Sequence, residues 1–108
     1  MLVSKGYRDK IYIIKDIINL LSEYGELNQT ALVSYSGLNL KKHKYILDGL
    51  ESRGFISKST VEDGKRIITI YKATQKGMDF SRIILEPYEE IFPRKSNDTQ
   101  KLGLLILI

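Results

Sequence analysis

Residues 39–56 read NLKKHKYILDGLESRGFI, and the parsing of this stretch decides the fold. On a helical wheel at 100° per residue, Leu40, His43, Ile46, Leu47 and Leu50 share one arc. Lys41, Tyr45, Asp48 and Ser52 lie opposite, flanked by Lys42, Lys44 and Gly49. The spacing predicts an amphipathic helix from Leu40 to Arg53, with Asn39 as its N-cap and Gly54 as its stop. Just upstream, Asn28 is placed to cap a shorter helix from Gln29 to about Ser36, closed by Gly37, with Ala31, Leu32 and Tyr35 expected inside.

Two short helices joined by the tight turn Gly37-Leu38-Asn39 form a helix-turn-helix pattern. Before it, Ile11, Ile14, Ile17, Ile18 and Leu21 recur at helical spacing, and Gly25 ends the run. Ile13, Leu20 and Tyr24 widen the apolar face of that first helix, so a second packing partner is expected for it. Glu26-Leu27 reads as a short extended link. After residue 54 the chain turns β-like, in Phe55–Val61 and Arg66–Tyr71. Asp63-Gly64 between these β-branched runs marks a hairpin turn, because both residues tolerate positive φ. Thr74 then caps a helix from Gln75 to about Leu85, and Pro87 either kinks it or starts a new one. Residues 93–101 are polar and read as a linker to the apolar tail Leu102–Ile108.

The chain has 108 residues, enough for one domain, and its 43% hydrophobic and 28% charged content is that of an ordinary globular protein. It holds no cysteine and one histidine, His43, which excludes disulfide scaffolds, thiolate nucleophiles, cysteine zinc sites and histidine-based triads. The glycines at 49 and 54 have phosphate-loop spacing, but Phe55-Ile56 stands where Lys and Ser or Thr are required. We therefore expect no enzymatic activity, no cofactor and no metal site. The first residues lack the apolar core of an export signal, and the tail is far shorter than the roughly 20 residues that span a bilayer, so a cytoplasmic location is expected.

The net charge of +4 is unevenly placed. Residues 1–36 balance four basic against four acidic residues and are expected to carry no electrostatic message. Residues 37–76 hold nine basic against four acidic residues, a net of +5, and residues 77–108 a net of −1. An excess confined to the middle third suits a surface that binds a polyanion, since each phosphate neutralised releases condensed counterions.

Helix, helix, turn, helix, hairpin, helix is an order that resembles the winged helix-turn-helix family, in particular its small single-domain archaeal-type regulators. The residues that carry the resemblance are Leu40 through Arg53-Gly54-Phe55-Ile56 and the run Tyr71-Lys72-Ala73-Thr74-Gln75-Lys76-Gly77, a Y-x-x-T-x-K-G pattern. It covers residues 8–85. The resemblance implies an α+β, mostly helical fold, with a three-helix core, a two-stranded wing and a C-terminal helix. It also implies a DNA-binding transcriptional regulator, often a homodimer held by its last helix. We accordingly expect a DNA-binding domain over 1–85 and a helical extension with an apolar tail over 86–108, which either joins the first helix in a homodimer interface, packs back on its own subunit or binds another protein.

If the third helix enters a major groove, Lys41, Tyr45 and Asp48 are the expected base or groove contacts, and Lys42 and Lys44 position the duplex on its phosphates. Gly49 would allow close backbone approach. Three lysines crowd the N-terminal turn of that helix, where the helix dipole disfavours cations unless an anion is nearby. Lys65 and Arg66 at the wing could touch the backbone or minor groove, although Glu62 and Asp63 share the tip. His43, Tyr71 and Thr74 are given structural roles. Ile84, Leu85, Tyr88, Ile91 and Phe92 form a stripe that a small core leaves partly open and that a second copy would bury. Two other functions fit the same features: an architectural protein coating DNA without sequence choice, and a winged helix that meets a protein partner.

Overall fold

The computed structural model describes residues 9–94. Helix α1 spans Lys10–Tyr24, followed by strand β1 (Leu27–Asn28), α2 (Gln29–Ser36), α3 (Leu40–Ser52), β2 (Ile56–Asp63), β3 (Arg66–Ala73) and α4 (Gln75–Phe80). A π-helical turn at Ser81–Leu85 then leads into α5 (Glu86–Ile91). The expected order therefore holds: a helix-turn-helix, a hairpin wing and a C-terminal helix, in an α+β and mostly helical fold.

The core is the stripe of α1 packed on α3 and the base of the sheet. Ile17, Ile18, Leu21, Leu32 and Leu47 are fully enclosed, with Ile13, Ile46, Leu50, Ile56, Tyr71 and Leu85 around them. Asn28 caps α2 by accepting from the Ala31 amide at 2.8 Å, and Asn39 caps α3 by accepting from the Lys42 amide at 3.3 Å.

Four differences from the sequence reading have identifiable causes. The link at 27–28 is a third strand: β1 pairs antiparallel with β3, Leu27 opposite Tyr71, giving the sheet order β1-β3-β2. Tyr35, expected inside, is exposed, because α2 buries its Leu32–Ser36 row instead, where the Ser36 hydroxyl satisfies itself on the Leu32 carbonyl. Tyr24, placed on the wide flank of α1, is exposed as well, and the two rings stack on each other at 5.4 Å between centroids. Pro87 stands in the first turn of α5, one of the two alternatives, but α5 is not set apart by a break: Leu85 and Glu86 keep helical backbone and a π turn joins it to α4. Proline cannot donate to the carbonyl four residues back and its ring crowds that carbonyl, and the backbone absorbs the mismatch in the preceding π turn.

The segment after Pro87 is fastened to α1. The Tyr12 hydroxyl donates to the Phe92 carbonyl, and its ring packs on Tyr88. Lys15 donates to Glu89 at 2.8 Å, while Arg94 grips Asp16 at 2.7 and 3.0 Å and Glu89 at 2.6 Å. Burial pushes the Glu89 carboxyl up, but hydrogen bonds from Lys15 and Arg94 outweigh it and hold the group below its usual value. Burial likewise opposes the Arg94 charge, and its bonds to Asp16 and Glu89 more than compensate, so its pKa is raised. The tail Leu102–Ile108 and the polar stretch before it, from residue 95 on, lie outside the described residues.

Candidate nucleic-acid interface

Helix α3 is held at both ends, which fixes the direction of its outer face. At its start, the Asn39 amide donates to His43 Nδ1 at 3.0 Å while the Asn39 side chain caps Lys42, a reciprocal arrangement that gives His43 the structural role expected of it. At its end, the Gly54 amide bonds the Glu51 carbonyl at 3.0 Å and the Phe55 amide bonds the Leu50 carbonyl at 2.9 Å, with Gly54 at φ +81°.

The two sequence motifs that carry the resemblance prove to be two halves of one clasp. Thr74 donates from its hydroxyl to the Gly54 carbonyl at 2.6 Å, donates from its amide to the Phe55 carbonyl at 3.2 Å, and accepts from the Gly77 amide at 3.0 Å as the cap of α4. Lys76 reaches the Arg53 carbonyl at 2.8 Å, satisfying a free carbonyl at the end of α3, and its ammonium lies 5.1 Å from the centre of the Phe55 ring. Gly77 is required by close approach: a Cβ there would stand 2.0 Å from the Phe55 carbonyl oxygen. The motif's Thr, Lys and Gly therefore bind the base of the wing to the end of α3.

Against this frame the outer face of α3 presents Lys41, Lys42, Lys44, Tyr45, Asp48 and Ser52, all exposed, with Ile46, Leu47 and Leu50 turned into the core. The wheel drawn from sequence thus sorts the helix as expected. Electrostatically the face is less uniform than a count of lysines suggests. Lys44 pairs with Asp48 at 3.3 Å one turn on, so two members of the expected set form an exposed ion pair with each other, while Lys41 and Lys42 have no ion pair among the described residues. Gly49 is half-buried on the flank, and the Arg53 guanidinium folds back to donate to its carbonyl at 3.1 Å.

The structure brings one cation to this face that the sequence reading discarded. Lys10, at the start of α1, lies with its ammonium 5.2 Å from the centre of the Tyr45 ring. The expectation that residues 1–36 carry no electrostatic message is therefore corrected: a segment that balances along the chain still places a charge on α3 once folded. No local pattern signals this, since it depends on how α1 crosses α3.

In the wing, β2 and β3 pair over their full length from Ile56–Ala73 to Asp63–Arg66, leaving Gly64-Lys65 as a two-residue turn with Gly64 at φ +65°. Both strands are longer than expected, because Glu62 and Asp63 pair within β2 rather than forming the loop and Lys72 and Ala73 continue β3. Lys65 stands at the tip, and Arg66 faces Asp63 at 3.4 Å with both side chains open to water. Ile67 and Val61 are exposed nearby.

Among the described residues no group of three His, Cys, Asp or Glu side chains is placed to hold a metal, and no helix is long and apolar enough to cross a membrane. An open groove lies elsewhere, between α1 and α2, lined by Asp16, Asn19, Glu23 and Tyr35.

No curated protein matches the chain by sequence. Solved structures share its fold. The PcaV transcriptional regulator from Streptomyces coelicolor superposes with a TM-score of 0.62 at 18% identity, over 88% of this chain and 72% of that one. A putative MarR-like transcription regulator from Bacillus cereus gives 0.62 at 15% identity, over 89% and 72%. Overoxidized AbfR bound to DNA gives 0.62 at 18% identity, over 90% and 73%. At these identities the likeness is one of fold, that of winged-helix transcriptional regulators. The sequence profile of the winged helix-turn-helix matches residues 7–92, the span that carries α1, the α2–α3 pair, the wing and the helix fastened back on α1, and the chain belongs to that family.

Proposed function

We propose that the chain is a double-stranded DNA-binding transcriptional regulator that works in the cytoplasm as a homodimer, with α3 in the major groove and the wing on the backbone or minor groove. The observation that carries this reading is the outer face of α3. An exposed row of Lys41, Lys42, Lys44, Tyr45 and Asp48 stands on a helix capped at both ends and backed by an enclosed core. Lys41, Tyr45 and Asp48 contact base edges, Lys42 and Lys44 contact phosphate, and Lys65 and Arg66 supply the wing contacts. Among the structural neighbours AbfR is recorded bound to DNA, which supports carrying that partner to this chain. The winged-helix regulator family is typically non-enzymatic, in keeping with a binding role.

Dimerisation is supported by the C-terminal helix, where Leu85 is enclosed but Ile83, Ile84, Ile91 and Phe92 stay exposed after Tyr88 has packed on Tyr12. A twofold dimer would set two copies of α3 about 34 Å apart, one turn of duplex. The test is anisotropy of a labelled random-sequence duplex titrated at two salt concentrations, with light scattering on the same sample. Salt-sensitive binding by a dimer is expected. Equal affinity for all selected duplexes would replace the regulator by an architectural protein, and no binding at low salt would leave α3 a solvated face and favour a protein partner.

A further inference from the structure

Resting on the reading of α3 as the duplex-facing element, we infer that Lys10 of α1 is a phosphate contact of the same interface, seated by Tyr45. Three observations converge on it. Its ammonium lies 5.2 Å from the centre of the Tyr45 ring, and Tyr45 is itself more than half exposed on the outer face of α3. The cation therefore belongs to the surface of α3 although its residue belongs to α1. Lys10 is also the first residue of α1, where the helix dipole disfavours a cation, and the adjacent Asp9 offsets this through its charge alone, since its side chain makes no cap bond. The same electrostatic penalty falls on Lys41 and Lys42 in the first turn of α3. Both helix starts therefore hold lysines where a phosphate would relieve the dipole, and Lys10 makes no ion pair among the described residues. Finally, Lys44 leans on Asp48 in an exposed pair that weakens its pull on a phosphate, so Lys10 adds a cation where α3 has partly offset one of its own.

The cation–π contact orients the long lysine stem without consuming the ammonium's hydrogen-bond donors, because the ring offers only its face. An ammonium held there keeps its donors for a phosphate oxygen. Lys10 would then fix the duplex from the α1 side, while Tyr45 is both a groove contact and the seat that positions this lysine.

The experiment measures duplex affinity of the full chain between 50 and 200 mM salt for the wild type, Lys10→Met and Lys10→Arg. Methionine keeps the stem against the ring and removes the charge. The expected result is a salt slope shallower by about 0.9, which makes the loss of affinity across that salt range about threefold smaller than in the wild type, with the slope restored in Lys10→Arg. A Lys10→Met slope equal to the wild type's overturns the inference while leaving α3 as the DNA helix, and an affinity drop at unchanged slope overturns it too, since Lys10 would then only position Tyr45. A wild type that binds no duplex overturns both readings. Thermal melting confirms that each variant is folded, and Lys10→Gln serves as a second charge-free variant should Lys10→Met not fold.

Discussion

Two glycines sit inside helices of this domain, and the same substitution should move stability in opposite directions at the two. At Gly77 an added Cβ would meet the Phe55 carbonyl oxygen at 2.0 Å and its carbon at 2.9 Å, and Phe55 Cα at 3.3 Å. This is backbone, and it cannot swing aside: the same carbonyl accepts from the Thr74 amide at 3.2 Å, and Phe55 is stacked on Phe80 at 4.5 Å. Relief requires α4 to lift off the base of the wing, straining the Thr74 and Lys76 bonds that close the clasp. Overpacking of this kind costs about 1–3 kcal/mol, and a weakened cap adds about 1 kcal/mol, against the 0.5–1 kcal/mol or so that alanine gains over glycine in a helix. The net loss is roughly 1–3.5 kcal/mol. For a domain of this size that lowers the melting temperature by about 5–25 °C. At Gly49 the nearest obstacle is Arg53 Nη1 at 3.2 Å, the far end of an exposed side chain that can rotate away, so Gly49→Ala should be neutral or stabilising by up to ~1 kcal/mol. Thermal and urea melts of the two variants followed by circular dichroism decide the matter. A Gly77→Ala chain as stable as the wild type, or a Gly49→Ala chain that falls as far, would refute the clasp as the reason for the motif's glycine. Duplex affinity of Gly49→Ala, measured on the same material, tests whether a backbone must approach there.

Replacing Lys41 and Lys42 together by alanine should weaken duplex binding and lower the salt slope by about 1.8, read by anisotropy across a salt series. Asp48→Asn should free Lys44 and remove a repulsive charge, so binding to random duplex strengthens and its salt dependence steepens; weaker binding to all sequences would argue against the pairing seen here. Thr74→Ala removes both a helix cap and the bond to Gly54, and should cost about 1–2 kcal/mol in urea denaturation. Because the Glu89 pKa is depressed in the folded chain, its ion pairs stabilise the domain above the usual value of 4.5 and that contribution disappears as pH falls through the lower folded value. Tyrosine fluorescence should then report the release of Tyr12 and Tyr88 at acid pH, and Arg94→Ala should make that transition smaller.

The elements legible in the sequence are those whose signals are local. Asn28, Asn39 and Thr74 announce helix starts because the bond each accepts is from an amide three residues on. Asp63-Gly64 announces the hairpin because the turn's φ is a property of the residue itself. The helical wheel of α3 was readable because its core is on one side only. What sequence did not disclose depends on meetings between distant segments. The pairing of Leu27 with Tyr71, the Arg94 network on α1, and Lys10 over Tyr45 each join residues more than thirty positions apart. Tyr24 and Tyr35 were misplaced for a similar reason, since an aromatic at helical spacing does not say whether its face will find a neighbour. The Y-x-x-T-x-K-G run was visible as a pattern, but its cause lies in Arg53, Gly54 and Phe55, which the sequence places some twenty positions away.

The clasp at the foot of the hairpin also has a mechanical consequence. Beyond Ile56 every side chain of β2 is exposed, while β3 is pinned by β1 as far as Ile70, so the paired strands project freely beyond the Ser59–Ile70 pair. The four residue pairs from there to the turn, at ~3.3 Å each, give an arm of about 13 Å. A tilt of ~10° at the foot would carry the tip through about 2 Å, the difference between touching a phosphate and missing it. Thr74, Lys76 and Gly77 are therefore the pivot bearing of that arm, and substitutions there should change where the tip lands before they change whether the domain folds.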